Sequence, residues 1–241
     1  MMRNFAKTAT ASPVTASHEQ AASRQYVEPT LFNLFWIFVI ASVIGLVGET
    51  VVSAFVDGYV KSRAGLVWGP FSPLYGLGAV LMTLALNGLK GKSKLLVFSV
   101  AAFVGGATEF VAGWFWKNFF GIVAWSYIDQ PLNFFGYTCA GMMVVWGLAG
   151  LAWVTVGIPL MMRLIGLIPV RMRKPLTIIL AVFMTADIAV TLMSFGFWFE
   201  RLEGKPVVSP MAAFFAQYYG NDWMANRFQA LSMWTSLAFH H

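Results

Sequence analysis

Five long apolar runs constrain the fold of this chain more than any other feature of its sequence. Each is about as long as the ~20 residues that cross a bilayer as a helix. Charged residues make up 11% of the chain, against roughly 25% in soluble domains, so the chain cannot cover a globular surface in water. We predict an all-α fold, a polytopic membrane helix bundle of about five transmembrane helices, the fourth of which can tilt or bend near Pro159. The runs cover residues 31–56, 73–89, 95–116, 134–162 and 176–199.

Composition divides the chain into three parts. Residues 1–30 are rich in Ala, Ser and Thr and lack an apolar stretch, which predicts a flexible N-terminal tail. Residues 31–200 hold the apolar runs and form the predicted transmembrane domain. Residues 201–241 mix aromatic with polar residues, which favours an amphipathic segment in the membrane interface over a sixth span.

The distribution of Lys and Arg predicts the orientation in the membrane. The N-terminal tail and the connections 90–94 and 163–175 hold ten of the 16 basic residues, and the other connections with the C-terminal segment hold six. The positive-inside rule then places the N-terminus in the cytoplasm and the C-terminus outside. These span ends account for the net charge of +6, so the expected partner is a lipid bilayer and not nucleic acid.

The cysteine and the histidines exclude several kinds of site. Because Cys139 is the one cysteine, the chain forms no internal disulfide. His18, His240 and His241 lie outside the apolar runs, which excludes haem or zinc held by intramembrane histidine pairs. The terminal pair can be the remnant of a purification tag. We expect no metal and no cofactor.

One spacing occurs in both the first and the third run. Residues 45–53 read Gly-x-x-x-Glu-x-x-x-Ser, and residues 105–113 read Gly-x-x-x-Glu-x-x-x-Gly. Each segment is followed by a loop with a tryptophan and then by a Pro-Leu pair that opens the next run, at 73–74 and at 131–132. A unit that contains two spans keeps its orientation when it is repeated, so we predict a parallel two-helix internal repeat.

Three carboxylates, Glu49, Glu109 and Asp187, fall well inside the apolar runs. An acid at the centre of a membrane helix costs about 2.5–3.5 kcal/mol on insertion scales, so such residues are rare. Both glutamates share a helix face with small residues, and Asp187 shares its face with two hydroxyl residues. We predict that the three acids converge on one central substrate- or ion-binding site, with Arg63 as the nearest counter-ion along the sequence.

Two interpretations of these acids stay open. In the first, each carboxylate is protonated and only hydrogen-bonds a neighbouring helix or an arginine. In the second, at least one of them binds a cation, relays protons, or acts as acid or base on a substrate.

The loops at residues 68–76 and 125–133 are too apolar for ordinary exposed loops, and the first is too rich in proline for a helix. One interpretation is that both loops dip back toward the carboxylates, which a membrane tolerates only where protein buries the backbone. The other is an aromatic belt that anchors the outer interface. The candidate binding side chains in or beside these loops are Trp68, Tyr75, Trp125, Tyr127 and Asn133.

Several short motifs follow one another in a specific order. They are the Glu49 span, Arg63 before Trp68-Gly69-Pro70, Pro73-x-Tyr75-Gly76, Glu109 before Gly113-Trp114, Trp125-x-Tyr127, Pro131-x-Asn133, Trp146-Gly147, and Asp187 ahead of Trp198-x-Glu200-Arg201. With these motifs, over about residues 33–230, the chain resembles the type IV ABC-transporter permease family, also called the CmpB-like family, of bacterial membrane proteins.

The resemblance implies a membrane transport protein of the bacterial cytoplasmic membrane, either a permease subunit or a small carrier. The chain has no nucleotide-binding domain, so an ATPase would be a separate subunit that docks on connections 90–94 and 163–175. A second copy of the chain could complete the bundle as a homo-oligomer.

Two other functions stay open at this point. One is an intramembrane enzyme that acts on a lipid or isoprenoid with paired carboxylates as acid and base. The other is a non-catalytic partner that stabilises another membrane complex. The sequence assigns no substrate and no catalytic residue.

Overall fold

The structure, a computed structural model, describes residues 25–60, 62–121 and 123–229. This part of the chain is helical almost throughout, as predicted. A helical π turn joins α4 to α5, so these two helices form one continuous rod. The elements are α1 (Leu31–Asp57), α2 (Pro73–Asn87), α3 (Lys94–Phe120), β1 (Asn133–Phe134), β2 (Thr138–Cys139), α4 (Ala140–Ala152), the π turn (Trp153–Gly157), α5 (Ile158–Gly166), α6 (Val170–Leu202), α7 (Pro210–Tyr218) and α8 (Asn221–Arg227).

Four helical rods of the described residues are long and apolar enough to cross a membrane: α1, α3, α4 with α5, and α6. The remaining predicted span, α2, is also apolar but has 15 residues, about 22 Å at 1.5 Å per residue. A hydrocarbon core is about 30 Å thick. All five apolar runs therefore form helices, and α2 is the one that is shorter than a full span.

Capping residues set the limits of α1 and α3, which have 27 residues each. Their first turns are capped by the hydroxyls of Thr30 and Ser93, which accept hydrogen bonds from backbone N–H groups. Their last turns end at Gly58 and Gly121, both with positive φ, a conformation that costs glycine little.

The fourth apolar run differs from its predicted range, 134–162. Residues 133–139 form a small antiparallel hairpin in which β1 pairs with β2, and the helix begins at Ala140. The predicted irregularity near Pro159 is the π turn, where the Ile158 N–H bonds the Trp153 carbonyl five residues back. Because Pro159 has no N–H to donate, the helix widens there instead of breaking.

Successive helices run in opposite directions, which gives the bundle two distinct ends. We call the end with residues 58–72, 121–139 and the C-terminal helices the loop end. The opposite, basic end carries residues 88–93 and 167–169. At the basic end, Asn87 accepts hydrogen bonds from the backbone of Tyr26 and Val27.

The N- and C-terminal segments are partly described. The predicted flexible tail lies outside the described residues up to residue 24, but Val27 is buried against α2 and α3. The C-terminal helices α7 and α8 pack on the loop end of α6 around an aromatic cluster, and residues 230–241 lie outside the described part. This cluster contains Val67, Phe195, Trp198, Phe199, Phe215, Tyr219, Met224 and Phe228.

Candidate functional site

Glu49 lies in α1, eight residues before the end of the helix, which is about 12 Å from the loop end. Its Oε1 forms an ion pair with Arg63 Nη1 at 3.0 Å, and the two side chains are 32% and 24% exposed. The Tyr75 hydroxyl interacts with the same carboxylate. The counter-ion expected from the sequence is therefore the one that the structure shows.

Glycines let α1 and α2 pack closely at this level. A Cβ on Gly45 would lie 2.4 Å from the Tyr75 ring, and one on Gly76 would lie 2.2 Å from the Ser42 hydroxyl. No real side chain tolerates these distances, so the small residues at 45 and 76 bring Tyr75 over α1 and next to Glu49.

Glu109 lies in α3 with different neighbours. Its Oε1 accepts a hydrogen bond from the Tyr127 hydroxyl at 2.8 Å, and its Oε2 accepts one from the Thr138 hydroxyl at 2.9 Å. The indole Nε1 of Trp146 approaches Oε2 at 3.4 Å. All three of these donors are neutral, in contrast to the guanidinium that pairs with Glu49.

The hairpins α1–α2 and α3–α4 make equivalent contacts. A Cβ on Gly105 would meet the Trp146 side chain at 2.3 Å, and one on Gly147 would meet the Phe98 ring at 2.5 Å. Equivalent residues differ by 60 in number between α1 and α3, and by 71 between α2 and α4. The equivalent pairs are Phe38 and Phe98, Gly45 and Gly105, Glu49 and Glu109, Tyr75 and Trp146, and Gly76 and Gly147.

This equivalence changes one detail of the predicted repeat. The Pro-Leu pair at 73–74 opens α2, but the pair at 131–132 precedes the β hairpin, and α4 begins only at Ala140. Pro131 is therefore not the structural equivalent of Pro73. The second connection is longer, and its β hairpin places Thr138 next to Glu109.

The loop of residues 58–72 re-enters the bundle. The Ser72 N–H bonds the carbonyl of Ser42 at 3.1 Å, and Ser42 lies 15 residues before the end of α1, about 22 Å along the helix axis. Leu66 and Val67 are each 3% exposed. Because this loop occupies the outer half of the hairpin, α2 starts midway along α1 and is short.

Asp187 holds the backbone of this re-entrant loop. Its Oδ1 accepts a hydrogen bond from the Trp68 N–H at 3.0 Å, and one turn later Thr191 Oγ1 accepts one from the Val67 N–H at 2.9 Å. The Trp68 ring packs on Phe183 of the same helix. Of the three acids predicted to converge, Asp187 therefore lies in a hydrogen-bond network of its own.

Buried polar atoms continue along the same face of α6. Asp187 Oδ2, Ser194 Oγ and Trp198 Nε1 are buried and have no hydrogen-bond partner within the described residues. Buried polar atoms without a partner are costly. These three atoms lie along one face of a helix that is otherwise mostly apolar.

Arg227, at the end of α8, holds the same loop from its other side. Its Nε donates to the Leu66 carbonyl at 3.0 Å, and its Nη2 donates to the Gly69 carbonyl. Burial lowers the pKa of the Arg227 guanidinium, and the charge of Asp187 opposes this shift. Sequence reasoning missed this residue, because the contact joins positions far apart in the chain.

A cleft of about 530 Å³ opens beside the Glu49–Arg63 ion pair. Thr50 lines it from α1, Gly69 and Arg63 line it from the re-entrant loop, and Arg227 closes its far side. The cleft therefore joins the first carboxylate site to the loop and to the C-terminal segment. In the described residues, no group of three or more His, Cys, Asp or Glu side chains is placed to hold a metal ion.

The second loop differs from the first. Ile128, Leu132 and Phe135 at its tip are 62%, 77% and 81% exposed, so the tip of this loop is not buried by the bundle. Trp125 and Asn133 stabilise its backbone: the indole donates to the Tyr137 carbonyl, and the amide caps turns at residues 128–136. Of the predicted side chains of this loop, Tyr127 is the one that contacts a carboxylate.

Each carboxylate has a tyrosine beside it: Tyr75 faces Glu49, and Tyr127 bonds Glu109. Sequence reasoning did not include Thr138 or Trp146 in the site. The dipeptide Trp146-Gly147 follows the pattern of Tyr75-Gly76, and that likeness is the signal that could have identified Trp146.

Comparison with known proteins gives one match. A family model described as Putative ABC-transporter type IV matches residues 36–192, well over half of the chain and including both carboxylate sites. No curated protein and no solved structure matches. Together with the four apolar helices, the match identifies a multi-pass membrane protein of a transport family.

Proposed function

The chain belongs to the Putative ABC-transporter type IV family, and on this premise we propose that it is the membrane-embedded component of a transporter. Its binding region consists of the Glu49 and Glu109 sites with their loop partners. The observation that carries the proposal is the equivalence of the two sites, since two packed hairpins each place one carboxylate against an aromatic partner at the same level.

The surroundings of the carboxylates support a binding role. Intramembrane acids are retained at a cost, and they mark ion and substrate pathways. A re-entrant backbone is tolerated at membrane depth only where protein buries it or where it lines a water-filled cavity. Here the re-entrant loop carries Arg63 to Glu49 and borders the 530 Å³ cleft.

The proposed arrangement in the membrane follows from the two ends of the bundle. We place the transmembrane domain of residues 31–200 across the bilayer, with the basic end facing the cytoplasm and the loop end and residues 201–241 on the outer side. A separate ATPase subunit then docks on connections 90–94 and 163–175. Exposed cations such as Arg171 and Lys174 lie there, at the opposite end from the binding region.

The partner is tested by affinity purification from native membranes, with every copurifying protein identified and quantified. We expect a stoichiometric ATPase subunit, which the double variant Arg171→Glu with Lys174→Glu loses. The control Lys205→Glu changes an exposed cation at the loop end and retains the subunit. If the wild-type chain purifies without any ATPase, the proposed ABC-type assembly is wrong.

The binding region is tested in the purified complex, reconstituted in lipid nanodiscs, through its ATP hydrolysis. Glu49→Gln and Glu109→Gln are expected to change the hydrolysis rate several-fold while the complex stays assembled. Glu200→Gln, an exposed acid at the end of α6, is the matched control. Wild-type rates in both site variants would exclude the carboxylates from transport.

A further inference from the structure

The partners of Glu109 and Glu49 respond differently to a proton. Tyr127 and Thr138 bond Glu109 through hydroxyl groups, and a hydroxyl both donates and accepts. When Glu109 is ionised, both hydroxyls donate to it. When Glu109 is protonated, its own O–H can donate to Thr138 Oγ1 after that hydroxyl rotates, so the contact at 2.9 Å is kept.

Glu49 has this freedom toward the Tyr75 hydroxyl but not toward Arg63. Its ion-pair partner Arg63 has five N–H donors and no acceptor. A protonated Glu49 would lose the charge that holds Arg63, and the guanidinium could not accept the new O–H. The same position of the repeat thus carries one carboxylate paired with a cation that can only donate, and one bonded by two hydroxyls that suit both protonation states.

The groups that face Glu109 allow this exchange. The loop contributes Tyr127, β2 contributes Thr138 with Cys139 close to Tyr127, and α4 contributes Trp146. Lys117, two turns further along α3, lies over the Tyr137 ring. Burial and the bond to Glu109 raise the pKa of Tyr127, so its phenol stays protonated at neutral pH.

Glu109 is not sealed inside the protein. Glu109 and Tyr127 are both partly exposed, and the Tyr127 hydroxyl bonds the carboxylate directly.

We propose that Glu109 is a reversible proton-binding site, with Thr138 and Tyr127 as the groups that hold both of its protonation states. One proton from water binds Oε2, the Thr138 hydroxyl rotates from donor to acceptor, and the carboxylate charge changes from −1 to 0. That this proton is coupled to transport rests on the proposed function, whereas the binding of the proton does not.

The test uses dicyclohexylcarbodiimide on the wild-type protein in liposomes. This apolar reagent adds to a protonated carboxyl group and forms a covalent acylurea from which no group leaves. Peptide mass spectrometry then gives the labelling rate at each glutamate between about pH 5 and pH 9. We expect labelling at Glu109 that falls as the pH rises.

The proposal is overturned if Glu109 does not label, or if its labelling rate does not change with pH. Thr138→Val gives an independent readout, since it keeps the carboxylate and removes one partner, and we expect it to shift the pH midpoint of labelling. Thr155→Val, which removes a hydroxyl that bonds its own helix, should leave the midpoint unchanged. An unchanged midpoint in Thr138→Val would contradict the assigned geometry.

The labelling result is independent of the proposed function. If Glu109 labels as expected but no ATPase copurifies and Glu109→Gln is silent, the transport proposal fails and the proton site stands. If Glu109→Gln alters ATP hydrolysis but the wild type does not label, the site takes part in transport without binding a proton.

Discussion

In the hairpin of α1 and α2, Glu49 faces a guanidinium and the Tyr75 hydroxyl, whereas in the hairpin of α3 and α4, Glu109 faces two hydroxyls and an indole and no cation. The helix packing is shared, because glycines at equivalent positions bring an aromatic side chain over each carboxylate. The difference lies in the connections. A re-entrant loop brings Arg63 to the first site, and a β hairpin brings Thr138 to the second.

The comparison separates scaffold from chemistry. Helix packing in a membrane depends on small residues and close backbone approach, and both hairpins keep these features. The loops are not constrained in the same way, since each loop only has to satisfy its own backbone. An internal repeat can thus give its two copies different electrostatics while it keeps one architecture.

The largest expected effect is a test of the shared scaffold. Gly45→Val and Gly105→Val place a Cβ at 2.4 and 2.3 Å from aromatic carbons, so each should lower the free energy of unfolding by about 3 kcal/mol. The measurement is unfolding in mixed detergent micelles. Gly48→Val is the control, because a Cβ there meets nothing within 4 Å. A loss confined to one hairpin would show that the two are not equivalent.

The second prediction tests the difference in charge. Arg63→Met removes the counter-ion of Glu49 at a partly buried position. Breaking a fully buried ion pair costs about 3–5 kcal/mol, and an exposed pair contributes up to about 1 kcal/mol. This pair lies between the two cases. We expect a loss of about 2 kcal/mol in unfolding free energy, partly restored by Glu49→Gln in the double variant. Lys205→Met, in an exposed pair with Glu203, should change it very little. Equal losses of unfolding free energy in Arg63→Met and Lys205→Met would mean that the Glu49–Arg63 pair contributes no more than a surface pair.

The third prediction concerns the dependence of the first loop on α6. Asp187→Ala leaves the Trp68 N–H unpaired and should cost about 1–2 kcal/mol, whereas Asp187→Asn keeps an oxygen that can accept. Hydrogen exchange should rise in residues 66–69 of the alanine variant and stay unchanged in residues 123–133. Thr185→Ala, on the same helix but exposed, is the control. Faster exchange in both loops would indicate a general loosening instead.

The smallest effect is expected at Tyr127. Its Phe variant removes one hydrogen bond to Glu109 and should cost about 1 kcal/mol. Because the pKa of this phenol is raised on folding, its contribution to stability is complete below the unfolded value of about 10 and disappears as the pH rises through the folded value. The stability of Tyr127→Phe should therefore decline less at strongly alkaline pH. The check is spectrophotometric titration of phenolate together with unfolding, and parallel curves for the two proteins would contradict the shift.

Much of the bundle could be predicted from the sequence. The apolar runs predict the helices. The capping residues Thr30 and Gly58 explain where α1 begins and where it ends. The start of α4 could not be predicted in this way, because residues 134–139 are apolar enough to continue a span and pair as strands only in the folded protein.

The candidate site was predicted in part. Glu49, Glu109 and Arg63 stand out because charge inside apolar sequence is costly, and the structure confirms that Arg63 pairs with Glu49. Thr138 and Arg227 carry no such signal, since a threonine and a C-terminal arginine are ordinary at those places in a sequence.

The sequence by itself determined that the chain crosses a membrane as helices, and that it contains a repeated Gly-x-x-x-Glu segment with a carboxylate in each copy. These properties depend on local composition and periodicity, which each run carries on its own. Only the tertiary structure decided which groups surround each carboxylate, where the first loop re-enters, and that Asp187 supports the loop. Those outcomes depend on contacts between distant residues, such as Trp68 with Asp187 and Thr138 with Glu109, which form only when the helices pack.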